Sequence, residues 1–338
     1  MRRHLTFTAA LPAARPLTVW TLGTWAAAYT MALTLVSSAD AQNTGAYRIL
    51  APATTGGGYD TFARNVSRTL DVTKLAPGTT VYNIPGEGGV VGLREFVKQR
   101  GQGRELIVFG VTTIAALQTS KDAAGLSLKD LTPVARLTND YEVLVVPAGS
   151  PYKTLSDLTA AFKGNPALRF GGASVASAGH LFTANVMQAS GGNVKNLRWI
   201  PSSGNLQAVR AMLNGELDVV SSSYGVAEPE MRAGRVRALA LSAPTRVEGI
   251  DVPTAREQGV AAELVNWRGV FAPGGLSPED RARLSSTFSR LARSKEWRAL
   301  LGQEKQNSFY QPAATFTYFL DREGPRIQAL LRDLGLAK

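Results

Sequence analysis

The sequence predicts an α/β fold built on parallel sheets. Short, nearly continuous apolar runs rich in β-branched residues recur along the chain, as strands buried on both faces require. Amphipathic stripes with helix start and stop signals separate them. A length of 338 residues is enough for about two domains, each with its own core.

The expected strands are Tyr47–Ala53, Thr79–Ile84, Glu105–Val111, Glu142–Val146, Leu168–Gly171, Leu197–Ile200, Leu217–Ser221, Val236–Ser242 and Val265–Phe271. The helices between them carry their own punctuation. Phe62, Val66 and Leu70 recur at helical spacing after Asp60. Thr154-Leu-Ser-Asp157 resembles a capping box with a shorter acid, and Leu155, Leu158 and Phe162 follow it. Leu206, Val209 and Leu213 form a stripe stopped by Gly215, and Met231 sits in one stopped by Gly234. Thr254-Ala-Arg-Glu257 is a full capping box, with Gly259 ending a short helix. Ser277-Pro-Glu-Asp280 supplies a cap, an N1 proline and two acids before Leu284, Phe288 and Leu291. All these stripes are read as core faces. The seams are placed at Pro147-Ala-Gly-Ser-Pro151 and Glu263–Gly269. They divide the chain into domain 1, residues 42–146 with 266–338, and domain 2, residues 147–265.

The amino end reads as an export signal. Arg2, Arg3 and Arg15 precede an uncharged apolar run from Leu17 to Val36, and Ala39-Asp-Ala41 supplies a small-residue cleavage site. Residues 1–41 are therefore expected to be a signal peptide cleaved after Ala41, with an uncleaved anchor as the rival. The whole chain has 37 Lys+Arg and 26 Asp+Glu, net +11. Removing three Arg and one Asp with the leader leaves 34 and 25, net +9. No later stretch approaches 18 apolar residues, so the mature protein is not expected to insert in a membrane.

Composition excludes much chemistry. There is no Cys, which removes disulfides, cysteine catalysis and thiolate metal sites, and only His4 and His180 are present. No metal or cofactor is expected. The sequence contains no P-loop, no G-x-G-x-x-G, no G-x-S-x-G and no H-E-x-x-H. A hydrolase would have to use Ser174 or Ser177 with His180. A polyanion binder would need clustered Lys and Arg with interleaved aromatics, and the basic residues are scattered, so nucleic acid is not an expected partner.

Two loops draw attention. Ala51-Pro-Ala-Thr-Thr-Gly-Gly-Gly-Tyr-Asp60 joins a strand to a helix, and its glycines let backbone approach a ligand. The free N–H groups at the helix start then favour an anion. Phe170-Gly-Gly-Ala-Ser-Val-Ala-Ser-Ala-Gly-His180 repeats the arrangement in the other half. Further small polar clusters end other strands: Thr112-Thr113, Pro201-Ser-Ser-Gly-Asn205 and Ser221-Ser-Ser-Tyr224. In open α/β sheets ligands bind beyond such carboxyl ends.

At these loops the chain resembles the substrate-binding proteins of tripartite tricarboxylate transporters, the TctC or Bug family. The stretches that carry the likeness are Ala51–Arg64, Asn83–Gly89, Ser150–Leu158, Phe170–His180, Gly215–Val219, Gly234–Ala240 and Val252–Gly259. The resemblance implies a periplasmic binding protein of type II architecture: two doubly wound α/β domains around a ligand cleft. It implies a small carboxylate ligand, with a citrate-like tricarboxylate or a dicarboxylate favoured. It also implies membrane transporter subunits as partners, or a sensing role without them, and a monomer. The residues it marks as ligand contacts are Thr54, Thr55, Gly56, Gly57, Gly58, Thr112, Thr113, Gly172, Ala173, Ser174, Ser177, His180, Ser203, Gly204, Ser222 and Tyr224. Asp60 is placed to orient the first loop by accepting its N–H groups. Thr54-Thr55, Val175-Ala176 and Ser222–Tyr224 depart from the family's common residues, where ligand identity would be set.

Overall fold

The computed structural model describes residues 45–165 and 167–337. The expected leader, its cleavage point and the anchor alternative lie outside them. Gly45–Lys338 forms one compact unit.

Ten strands are present among the described residues: β1 Arg48–Ala51, β2 Thr80–Asn83, β3 Glu105–Gly110, β4 Leu131–Pro147, β5 Arg169–Gly172, β6 Arg198–Pro201, β7 Val219–Ser223, β8 Val236–Leu241, β9 Val265–Pro273 and β10 Asn307–Pro312. The helices are α1 Gly58–Val72, α2 Val90–Phe96, α3 Val111–Thr119, α4 Leu155–Gly164, α5 Ala178–Ala189, α6 Asn205–Leu213, α7 Tyr224–Arg232, α8 Pro278–Arg293, α9 Lys295–Gln303 and α10 Ala313–Asp333. The strand order is β2-β1-β3-β9-β4-β7-β5-β6, with β8 and β10 also pairing to β4.

β4 is the axis of this arrangement. Its first part pairs with β9 and β10, and its second part with β7 and β8, all antiparallel. The expected parallel sheets are present as two parallel groups, β2-β1-β3 and β6-β5-β7. The antiparallel β4 and β9 join these groups, which the strand–helix alternation did not announce. Two segments were not expected as strands. Residues 131–141 of β4 hold Pro133 and several polar residues, and β10 reads Asn-Ser-Phe-Tyr-Gln-Pro. Both are held by their partners in the sheet rather than by an apolar run of their own.

Alternation explains why the strands read as continuous apolar runs. Ile49 and Ala51 face the layer formed with Phe62, Val66, Phe288 and Trp297, while Leu50 faces the opposite layer. Leu106 and Val108 follow the first, Ile107 and Phe109 the second. The second layer runs on past β4 to Leu144, Val146, Phe170 and Phe182, so one apolar layer lies beneath both strand groups. Phe109 stacks on Phe271 at 3.8 Å within it. Burying such side chains contributes roughly 1.5–3 kcal/mol each.

Local signals act where the sequence placed them. Thr154 and Asp157 form a reciprocal capping box at α4. Thr254 and Glu257 do the same, and Gly259, left-handed at φ 80°, ends that turn. Ser277 caps α8 with Pro278 at its start. One stripe is corrected. Val209 is buried, but Leu206 and Leu213 are exposed, because Ala208 and Met212 share the core face of α6 with Val209.

Candidate ligand-binding site

The first loop is built around a carboxylate. Asp60, almost fully buried in the first turn of α1, accepts the Gly56 N–H at 2.8 Å, Arg64 Nε at 2.9 Å and Asn83 Nδ2 at 2.9 Å. Asn83 also donates to the Ala53 carbonyl at 3.0 Å, so the end of β2 clamps the loop from the side. Burial pushes the Asp60 carboxyl up, but the donors from Arg64, Gly56 and Asn83 outweigh it and hold it below the usual carboxylate range. The Gly57 N–H closes a turn onto the Thr54 carbonyl at 2.9 Å. Gly56 has φ +79°, a left-handed conformation that favours glycine. Thr54, Thr55, Gly56 and Gly58 are exposed and Gly57 is partly so. The first N–H groups of a helix have no carbonyl behind them, and no described residue accepts from Gly58 or Tyr59 N–H. The loop thus presents the positive end of α1 outward.

The amino end of α3 is closed from within. The Tyr59 hydroxyl accepts the N–H groups of Gly110 and Thr113 at 3.1 and 3.2 Å, at the start of α3. The Thr113 hydroxyl donates to the Gly88 carbonyl at 3.0 Å and is fully buried, so in this conformation it braces the 86–89 turn. Thr112 beside it is partly exposed.

The second cluster lies at the carboxyl ends of β5, β6 and β7. Ser177 caps α5, and its N–H returns to the Ser174 carbonyl at 3.1 Å. Ala176 is left-handed at φ +58°, and its N–H donates to His180 Nδ1 at 3.0 Å. The His180 ring stacks on Trp199 at 4.7 Å, and Trp199 Nε1 donates to the Ala173 carbonyl at 3.3 Å. Burial pushes the imidazole down to about 4. It is therefore neutral at pH 7 with its proton on Nε2. His180 is a brace for the turn, and with Nδ1 occupied by a main-chain N–H it has no carboxylate orienter of the kind a serine triad needs. Ser174 is exposed, Ala173 partly so, and Gly172 is buried under Trp199.

Ser202 N–H donates to the Gly172 carbonyl, which ties the 201–205 loop to this cluster. Ser203 is exposed, and Gly204 caps α6 without a side chain. Asn205 Nδ2 donates to Ser223 Oγ at 2.9 Å. Ser222 is fully buried, its hydroxyl donating to the Ser223 carbonyl, so it faces away from solvent in this conformation. Tyr224, half-buried, opens α7. The residues read from the sequence thus form two clusters, one per strand group. No hydrogen bond among the described residues joins loop 54–58 to loop 172–177.

Tyr59, Asn83, Arg64 and Arg268 were missed by the sequence reading. Arg268 lies in β9, paired with Gly110 and Thr138, and its guanidinium forms a buried ion pair with Asp140 of β4. Next along, Asn266 Nδ2 donates to Glu142 Oε1 at 2.9 Å. Burial pushes the Glu142 carboxyl up to about 7. The one available signal was polarity: Arg268 interrupts an apolar strand, and Asp140 and Glu142 another. Two cavities, of ≈ 630 Å³ beside α3 and α10 and ≈ 370 Å³ near Arg169 and Asp218, lie away from these loops.

Residues 62–336 match the tripartite tricarboxylate transporter family receptor, TctC. The chain belongs to that family. Protein BugT of Bordetella pertussis is 28% identical over 270 residues, covering 76% of this chain and 79% of BugT. MatC of Rhodopseudomonas palustris, solved with bound malate, superposes with a TM-score of 0.73 at 26% identity, covering 85% of this chain and 98% of MatC. A further R. palustris structure with adipate gives 0.77 at 22%, covering 88% and 99%. The TctC fold is that of two-domain periplasmic binding proteins, and family and fold are those of substrate-binding receptors. Among the described residues no helix is long and apolar enough to cross a membrane.

Proposed function

We propose that this TctC receptor captures a small carboxylate outside the cytoplasm and delivers it to the membrane subunits of a tripartite transporter. The observation that carries the reading is the exposed 54–58 loop, which Asp60 locks so that the Gly58 and Tyr59 N–H groups remain free. A carboxylate arriving there exchanges water for charge-assisted bonds from donors already in place. That MatC binds malate and another neighbour adipate supports the ligand class. The ligand is a di- or tricarboxylate.

The second cluster supplies hydroxyl and main-chain groups to the far side of the ligand from Ala173, Ser174 and Ser203, with Ser177 behind them as the cap of α5. The two strand groups, β2-β1-β3 and β6-β5-β7, act as two lobes that close on it, joined where β4 passes from β9 and β10 to β7 and β8. The leader, residues 1–41, delivers the chain to the periplasm and is removed after Ala41. The net positive charge of the mature chain speeds the arrival of small anions.

Isothermal titration of residues 42–338 with malate, succinate, adipate, citrate and glutamate tests the reading. Saturable heat with at least one di- or tricarboxylate is expected. Silence across the panel overturns it.

A further inference from the structure

A charged group stands directly behind the α1 amino end. A methyl group placed on Gly58 would lie 3.4 Å from Nη2 of Arg268. The Arg268 side chain is nine-tenths buried, and Nη1 is taken by Asp140. Its Nη2 and Nε find no acceptor among the described residues, yet neither is sealed from solvent. Guanidinium has five N–H donors in a fixed plane, enough for two carboxylates on different edges. Asp140 takes an Nη1 donor through one carboxylate oxygen and leaves the Nε–Nη2 edge open. The open edge faces Gly58, which is exposed and has no side chain to cover it; among the loop's glycines it is the one whose added methyl would meet Arg268.

We propose that Arg268 is a specificity-determining contact of this receptor: its open edge takes the same ligand carboxylate that the Gly58 and Tyr59 N–H groups hold. This assignment rests on the carboxylate reading above. It makes the pocket a mixed site, two main-chain donors and one guanidinium, in which a full negative charge is favoured over a neutral isostere. Asp140 is the positioning residue: its carboxylate compensates a guanidinium that burial alone would not tolerate. Glu142 and Glu304 complete the acidic surroundings of the pair.

Three variants of the mature chain test it against malate, adipate and citrate by calorimetry, with thermal unfolding in parallel. Arg268→Gln alone leaves Asp140 buried and unpaired, so the double variant Asp140→Asn/Arg268→Gln removes both charges together. For the ligand the wild type binds best, the double variant is expected to lose at least ten-fold in affinity while its unfolding midpoint stays within a few degrees of wild type. Arg268→Lys is expected to recover part of the loss, because the charge is kept and the fork is not. If the wild type binds and the double variant binds within two-fold of it, Arg268 is not a contact and the carboxylate reading stands. If the wild type binds none of the three, that reading falls and this assignment falls with it.

Discussion

The Tyr59 hydroxyl closes the amino end of a helix it does not belong to. It lies 3.1 Å from Gly110 N and 3.2 Å from Thr113 N, although it sits in the first turn of α1. Of two adjacent helix starts, one is satisfied inside the protein and one is left open. Tyr59→Phe should therefore destabilise the protein by about 1–2 kcal/mol, the cost of orphaning partly buried donors. Urea unfolding measures this; an unchanged midpoint would show that water replaces the hydroxyl.

Asp60 should matter to both stability and binding. Asp60→Ala leaves the Gly56 N–H without its acceptor and removes one bond each from Asn83 and Arg64, at a cost of about 2–3 kcal/mol, and ligand affinity should fall with the loop's order. The carboxyl is held below its ordinary value, so its contribution is complete above about pH 4 and is lost as pH falls through the lowered folded value. Acid unfolding of wild type and Asp60→Asn should diverge above that region and converge below it.

Gly58 is the position at which to block the anion site without disturbing the loop. A side chain on Gly57 meets the Thr54 carbonyl at 2.9 Å and must move the turn, whereas on Gly58 it meets only Arg268 at 3.4 Å. Gly58→Leu should keep the unfolding midpoint, since leucine also favours the helix by about 0.8 kcal/mol, and should lower carboxylate affinity at least ten-fold. Retained affinity would place the ligand elsewhere.

Glu142 should give stability an inverse pH dependence. Its folded value is raised to about 7 by burial, above the unfolded 4.5, so the folded state holds a proton that the unfolded state releases between those values. Stability is lost as pH rises across that window, by on the order of 3 kcal/mol. Glu142→Gln keeps an oxygen for Asn266 and removes the titration. Its advantage over wild type should grow from pH 5 to pH 8 in thermal unfolding; a constant difference would contradict the assignment.

What the sequence made legible is what it writes locally. Ser277 caps three residues ahead, Thr254 and Glu257 exchange bonds across one turn, and Asp60 reaches back to Gly56. Nearly continuous apolar runs exposed the strands of both parallel groups. Arg268 and Asp140 meet across 128 positions, and Tyr59 and Gly110 across 51, and no local pattern encodes such pairs. β10 was invisible for the same reason, since its polar residues are strand only because β4 lies beside them. Leu206 and Leu213 misled because helical spacing fits two faces, and Ala208 and Met212 decide which one is inside.

The insertion of β9 between β3 and β4 sets the order in which the molecule can assemble. Ile107 pairs with Phe271, and Thr132 with Ala272, so two strands made early wait for one made late. Contacts this distant along the chain slow folding, because the intervening loop must be closed before they reward it. Until Val265–Pro273 arrives, β3 and the first part of β4 present bare edges, and bare edges recruit other chains. A chain halted short of Val265 is a seed for aggregation rather than a smaller receptor, which ties the solubility of this protein to completion of its last quarter.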